Sequence, residues 1–252
     1  MKKYELTGET KLFYGKRLHR IKAITDFDNI KVGDLGGWIE HEGNLSHYNN
    51  AWIFDNARVC ENACVYNNAK VYGNAHIYGN AHIYENAHVY DDAWVYDNAS
   101  IYGHSQVHGC SRVSGHARVY NDAQVYGRTG VTDNARVYGK ALIYGFASIY
   151  GDANIFNKAQ VFGDTRIYGY TDICHHGLIS NNNDYLYFKE LGSYNRDTTF
   201  FKCNDGEIYV SCGCFKGTLT EFENQVKKTH GDNKYAKEYL ASIEIVKMHF
   251  EI

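Results

Sequence analysis

From Asn50 onward the chain repeats every six residues, as NAWIFD, NARVCE, NACVYN, NAKVYG, NAHIYG and so on. Val or Ile fills every sixth position from Ile53 to Ile179, 22 positions without exception. The column two residues earlier, from Ala51 to Gly177, holds 16 Ala, with Ser105, Ser111, Thr129, Thr165, Thr171 and Gly177 as its other members. A helix needs a period near 3.6, so a period of six excludes one. In a strand, neighbouring side chains point to opposite faces. Ala and Val of each Ala-x-Val-Tyr unit therefore point inward together, while x and Tyr point outward. The Gly-Asn or Asp-Asn pair that follows supplies a corner, because these residues tolerate left-handed backbone. Three such units close a triangular coil of 18 residues, and the 22 units make about seven coils. At roughly 4.8 Å between stacked strands the prism is about 35 Å tall.

Each strand then pairs with those one coil before and after it, so nearly every backbone N–H has a place in a ladder. Proline would interrupt that ladder, and the 252 residues contain none. The repeat resembles that of hexapeptide-repeat proteins, whose fold is the left-handed parallel β-helix. The left hand is what this resemblance implies, since general crossover rules favour the right.

Stacking by 18 sorts the outward residues into ladders. One reads Tyr66, Tyr84, Tyr102, Tyr120, Tyr138, Phe156, and a second reads Phe54, Tyr72, Tyr90, His108, Tyr126, Tyr144, Phe162. The third is broken: Cys60, Tyr78, Tyr96, Ser114, Thr132, Tyr150, Tyr168. So many outward rings read either as an interface between copies of the chain, a trimer being favoured, or as cross-strand stacking within one solenoid. At the break, Arg112 and Ser114 lie beside Gly130 and Thr132, a notch suited to an anion. Arg118 and Arg136 stack beside Tyr120 and Tyr138, a basic and aromatic combination suited to a nucleotide or phosphate. Arg112, Ser114, Thr132, Arg118, Tyr120, Arg136 and Tyr138 are thus the candidate ligand-binding residues. Solvated arginines on a β-helix face are the plain alternative.

No catalytic residue, cofactor or metal ligand stands out. His76, His82 and His88 look like a metal cluster in the linear sequence, but six-residue spacing sends them to three different faces. His104, His108 and His116 also spread over separate corners and strands. The seven cysteines (60, 64, 110, 174, 203, 212 and 214) are an odd number and read as reduced thiols. Cys212 and Cys214 sit on one side of a strand, near Cys203 and His230, but Cys-x-Cys alone is a weak zinc motif. GDLGG at 33–37 lacks the lysine and spacing of a phosphate loop and reads as a turn.

Residues 1–45 read as an N-terminal β cap and 46–180 as the β-helix. Residues 181–252 read as a small C-terminal α+β domain, giving a mainly β chain. Within the last segment, strands are expected over 184–191, 198–202 and 207–212. Thr218–Glu221 forms a capping box that starts a helix at Leu219, Gly231 stops it, and a second helix runs from about Lys234 to Phe250. The net charge of −3 gives no electrostatic footprint for sequence-specific nucleic-acid binding. MKKYELTGETK lacks the apolar stretch of a signal peptide, and no run is long enough to span a membrane, so a cytoplasmic protein is expected.

GDLGGWIE, the NAxVYG array and SCGCFKGTL with THGDNKYAKEYL together resemble hexapeptide-repeat proteins of phages, prophages and Gram-positive bacteria. Some of these carry the label polymer-forming cytoskeletal protein or hexapeptide-repeat transferase. The resemblance implies a β-helix and a phage accessory role, and brings no activity with it. Hexapeptide acyltransferases place Gly, Ala, Glu or Asp after the aliphatic residue, where this chain mostly has Tyr, and carry a loop that leaves the helix. For a transferase, His104, His108 and His116 would be the candidate bases. The expected function is a non-enzymatic, homo-oligomeric binding protein that holds an anionic or nucleotide-like ligand or covers a host protein. An acyl- or nucleotidyl-type transferase is the alternative, and a structural scaffold the second.

Overall fold

The computed structural model describes residues 2–252. Two long antiparallel strands, β1 (Tyr4–Phe13) and β2 (Lys16–Ala23), lead into β3 (Leu35–Ile39). Next come 22 two-residue strands, β4 to β25, at six-residue intervals from Trp52–Ile53 to Leu178–Ile179. Each pairs in parallel with the strand 18 residues away, as Ser100 with Arg118 and Ile101 with Val119. The result is a parallel β-solenoid with three sheets as its faces.

The solenoid has about eight coils rather than seven. The extra coil escapes the six-residue count because its register differs. Ile39 pairs with Val59 and Leu45 with Val65, each 20 residues apart, because the corner between Leu45 and Ile53 is longer by two residues. Gly37 occupies the inward position that Ala holds elsewhere, whereas Gly43 is exposed in a short 3-10 turn whose buried residue is Asn44. At Gly37 a Cβ would lie 2.5 Å from Cγ2 of Ile53, so not even alanine fits.

The inward Ala and Val/Ile columns are fully buried and form one continuous core. At the corners, Asp55, Glu61, Glu85, Asp91, Asp97 and Asp133 adopt left-handed backbone. Each carboxylate accepts a hydrogen bond from the N–H of the glycine one coil on, as Glu85 Oε2 from Gly103 at 2.8 Å.

Both open ends are closed. At the N-terminal end Tyr4 and Ile21 join the core, and Lys3 Nζ donates to the carbonyls of Ala51 (2.6 Å) and Asn49 (3.1 Å). Burial lowers the Lys3 pKa to about 8. At the other end lies an antiparallel sheet of β26 (Tyr185–Leu191), β27 (Arg196–Lys202), β28 (Ile208–Cys212) and β29 (Phe215–Thr218). One of its faces gives Tyr185, Phe201 and Cys203 to the solenoid core. The opposite face packs Phe200, Val210 and Cys212 against α1 (Leu219–His230) and α2 (Lys234–Phe250). The helices start as their caps dictate: Thr218 Oγ1 accepts from Glu221 N, and Asn233 Oδ1 accepts from Tyr235 N and Ala236 N. Among the described residues no helix is long and apolar enough to cross a membrane.

Candidate functional site

The seven residues singled out from the sequence fall on two faces of the prism. Arg112 and Gly130 are paired on adjacent strands of one sheet. A Cβ at Gly130 would touch nothing within 4 Å, so the face is recessed there beside the exposed Arg112. Ser114 is buried and Thr132 half-buried, and the third ring ladder breaks at these two positions. The Arg112 guanidinium lies 6.0 Å from the Trp94 ring. On the neighbouring sheet Arg118 and Arg136 pair in register, and the Tyr120 and Tyr138 rings stack at 4.8 Å. Burial, then the neighbouring Tyr120 and Asp172, pushes the Tyr138 hydroxyl up to about 12, so it stays a donor at neutral pH. Among the described residues none of the three arginines forms an ion pair.

Rings stack within the chain along the first ladder, along the second from Tyr72 onward, and on either side of the break in the third. From Tyr66 to Phe156 the centroids are 4.8–5.0 Å apart with planes within 7°. His108 takes a ring's place in the second ladder, 4.4 Å from Tyr90 and 5.1 Å from Tyr126. Most of these rings are half-buried by their neighbours in the ladders.

A groove of about 650 Å³ runs along one corner, beside the Tyr120–Tyr138 ladder. It is built from a column that the reading of the faces passed over. His104, Asp122, Lys140, Lys158 and His176 recur at intervals of 18, each the second residue of a corner. The residue before each of them (Gly103, Asn121, Gly139, Asn157, His175) has φ between +56° and +75°. That conformation turns the chain sharply after the ring residue. All ten residues line the groove, together with Glu85. Tyr120 and Tyr138 directly precede Asn121 and Gly139, but none of Arg118, Tyr120, Arg136 and Tyr138 lines the groove itself.

Charge divides the groove along its length. Glu85 and Asp122 lie toward the N-terminal coils, and the Glu85 carboxylate is engaged by Gly103 N. Lys140, Lys158, His175 and His176 lie toward the C-terminal coils. Neither lysine is within 4.0 Å of a carboxylate among the described residues. The groove ends against the C-terminal domain, where the His175 ring stacks on Tyr209 at 4.6 Å and Asn204 N donates to the His176 carbonyl at 3.1 Å. The spacing of 18 is visible in the sequence, but these corner residues carry no hydrophobic signal that sets them apart.

The other histidines separate as their spacing requires. His76, His82 and His88 lie on three different sheets. Of the three candidate bases, only His104 reaches the groove. Cys212, Cys214 and His230 line a second pocket, inside the C-terminal domain, whereas Cys203 belongs to the solenoid core. Burial raises the thiol pKa of Cys60 and Cys174 to about 11 and of Cys203 to about 12, which makes them packing groups rather than nucleophiles.

A family model described as the YdcK beta solenoid repeat matches residues 111–127. A comparison with curated proteins finds no match. The matched segment spans Ser111 to Gly127, three strands and their corners. The chain is a β-solenoid repeat protein, similar over that stretch to the YdcK repeat.

Proposed function

We propose that this protein is a non-enzymatic binding protein that holds a small phosphate-bearing anion in the corner groove. The observation that carries the reading is the placement of Lys140 and Lys158 one coil apart, without carboxylate partners among the described residues, inside a concave site. A compact ammonium is a strong phosphate partner, and two lysines on backbones stacked roughly 4.8 Å apart can reach adjacent phosphoryl groups. Arg118, Arg136, Tyr120 and Tyr138 lie on the sheet that leads into this corner and extend the reading to a nucleotide-like ligand. Arg112, Ser114 and Thr132 form a separate recess for a smaller anion. The resemblance to phage and prophage proteins supports an accessory role in a bacterial cytoplasm, where the protein sequesters a nucleotide signal or covers a host protein. A homo-oligomer, a trimer in the first instance, belongs to the same proposal.

His104 favours one second reading, because it stands in the groove as a base for acyl or nucleotidyl transfer. Native mass spectrometry of the purified protein, with identification of any co-purified molecule, separates the two and reads the oligomeric state. The binding reading expects a stoichiometric phosphate-bearing ligand in the wild type and none in Lys140→Glu/Lys158→Glu. Both side chains are exposed, so the variant should fold as the wild type does. Turnover of acetyl-CoA or a nucleoside triphosphate by the wild type, lost in His104→Ala, would overturn it.

A further inference from the structure

The C-terminal domain has a pocket of about 340 Å³ between its sheet and its helices, which shares no lining residue with the corner groove. Its floor is apolar, formed by Phe215, Phe222 and Val226. Phe222 is nearly fully buried and touches the rings of Phe200, Phe215 and Tyr239 at 5.2–5.8 Å. Several polar groups of the wall are already paired, Gln225 Nε2 donating to Thr229 Oγ1 at 2.9 Å, while the His230 ring stacks on Tyr239 at 5.8 Å. Tyr239 donates its hydroxyl proton to the Leu191 carbonyl at 3.2 Å, and Thr198 Oγ1 donates to Cys212 Sγ at 3.2 Å.

Arg196 is different. It is the one Lys or Arg among the lining residues, it is half-buried, and its guanidinium makes no hydrogen bond or ion pair among the described residues. Its nearest aromatic neighbour, Tyr194, lies 5.0 Å away and is itself exposed. Gly213 gives the guanidinium its place: at φ +58° it turns the chain between β28 and β29, and a Cβ there would stand 2.9 Å from Cδ and Nη1 of Arg196. A planar fork with free donors, above an apolar floor of this size, selects a bidentate monoanion carrying a compact apolar body. A phosphate-rich ligand fits less well, because a multiply charged group would lose its hydration over phenyl rings with one guanidinium and the His230 imidazole in return.

We propose that this pocket binds a small monocarboxylate, its carboxylate on the Arg196 guanidinium and an aromatic or branched aliphatic body against Phe222 and Val226. The site is independent of the corner groove.

The test uses the full chain and two probes of equal shape, 3-phenylpropanoate and 3-phenylpropanamide, titrated by ligand-observed and protein-observed NMR. The carboxylate is expected to bind at least tenfold more tightly than the amide. Arg196→Gln should erase that preference without moving the thermal midpoint, and Arg196→Lys, which keeps the charge but loses the fork, should fall between. Lys140→Glu/Lys158→Glu should leave the preference intact, which distinguishes failure here from failure of the groove reading. Equal binding of acid and amide, a preference that survives in Arg196→Gln, or no binding of either probe at millimolar concentration would each overturn the proposal.

Discussion

The solenoid and the C-terminal domain bury similar residue types by opposite means. In the solenoid the core is a stack of near-identical layers, in which each Val or Ile meets the same neighbours one coil up and one coil down. Its interior is narrow, so Ala and a branched residue fill it and no single side chain is central. The C-terminal domain has one small, non-repeating core in which Phe222 touches three other rings across the sheet and both helices. Stability in the first is spread along the axis, whereas in the second it converges on a few large side chains. The concave features follow the same division: the repeat yields an extended groove with a ladder of charges, and the non-repeating core yields a pocket between sheet and helices.

The strongest way to break this contrast is Phe222→Ala. Emptying a site of this kind costs about 3–5 kcal/mol, most of what a small core supplies. Residues 185–252 should lose amide-exchange protection, together with the last coil that Phe201 and Tyr185 cover, while coils toward the N-terminus keep theirs. Hydrogen exchange read by mass spectrometry checks this. Uniform loss of protection over both regions would mean that the molecule unfolds as one cooperative unit, and the contrast would fail.

How much of each region was legible follows from the same difference. The solenoid could be read because its period is strict, and the 22 inward Val/Ile positions each lie where the pattern places them. Its first coil was hidden because Ile39 and Ile53 belong to a longer coil and Gly37 stands where Ala is the rule. In the C-terminal domain both helices were legible from Thr218, Gly231 and the apolar face of 234–250. Strand β29 was not, because Phe215–Thr218 is short and follows a turn whose glycine resembles any loop. Neither pocket was visible as such. The groove depends on corner residues that carry no hydrophobic signal, and the pocket depends on Arg196 crossing to Gly213, 17 positions later in the chain.

Two glycines sharpen the comparison at a smaller scale. Gly103 sits at a coil corner with φ +75°, and a Cβ would stand 2.6 Å from Asn121 N in the next coil. Gly206 sits in the loop between β27 and β28 with φ +87° and open space around it. Alanine at either position meets the left-handed backbone cost of roughly 1–2 kcal/mol. Only Gly103→Ala adds overpacking, about 1 kcal/mol or more, because the coil spacing is fixed by the ladders on both sides. Chemical denaturation of the two variants should therefore rank Gly103→Ala below Gly206→Ala. The opposite order would show that the corners are more pliable than the ladders they join.

The smallest expected effect is one of pH, and it separates the two ends of the molecule. His76 is buried in the N-terminal part of the solenoid, stacked on Trp94 at 4.6 Å, with Nε2 2.9 Å from Arg58 Nη1. Burial, with the charges of Arg58 and Lys11 and against that of Asp92, lowers its pKa from 6.5 to about 4. The folded state therefore holds this imidazole neutral while the unfolded chain takes up a proton. The associated stability is full above about pH 6.5 and drains away as the pH falls toward about 4. Asp184, where the solenoid meets the C-terminal sheet, acts in a lower window. Hydrogen bonds from Ser180, Lys202 and Asn181 outweigh its burial and hold the carboxyl below its ordinary 3.8, so its contribution persists until more acid conditions. Between pH 7 and pH 5 the thermal midpoint should fall, with exchange rising first over residues 58–94. His76→Gln cannot take up the proton and should flatten that part of the profile while leaving the C-terminal domain as it was. An unchanged pH slope in His76→Gln would place the acid-sensitive end elsewhere.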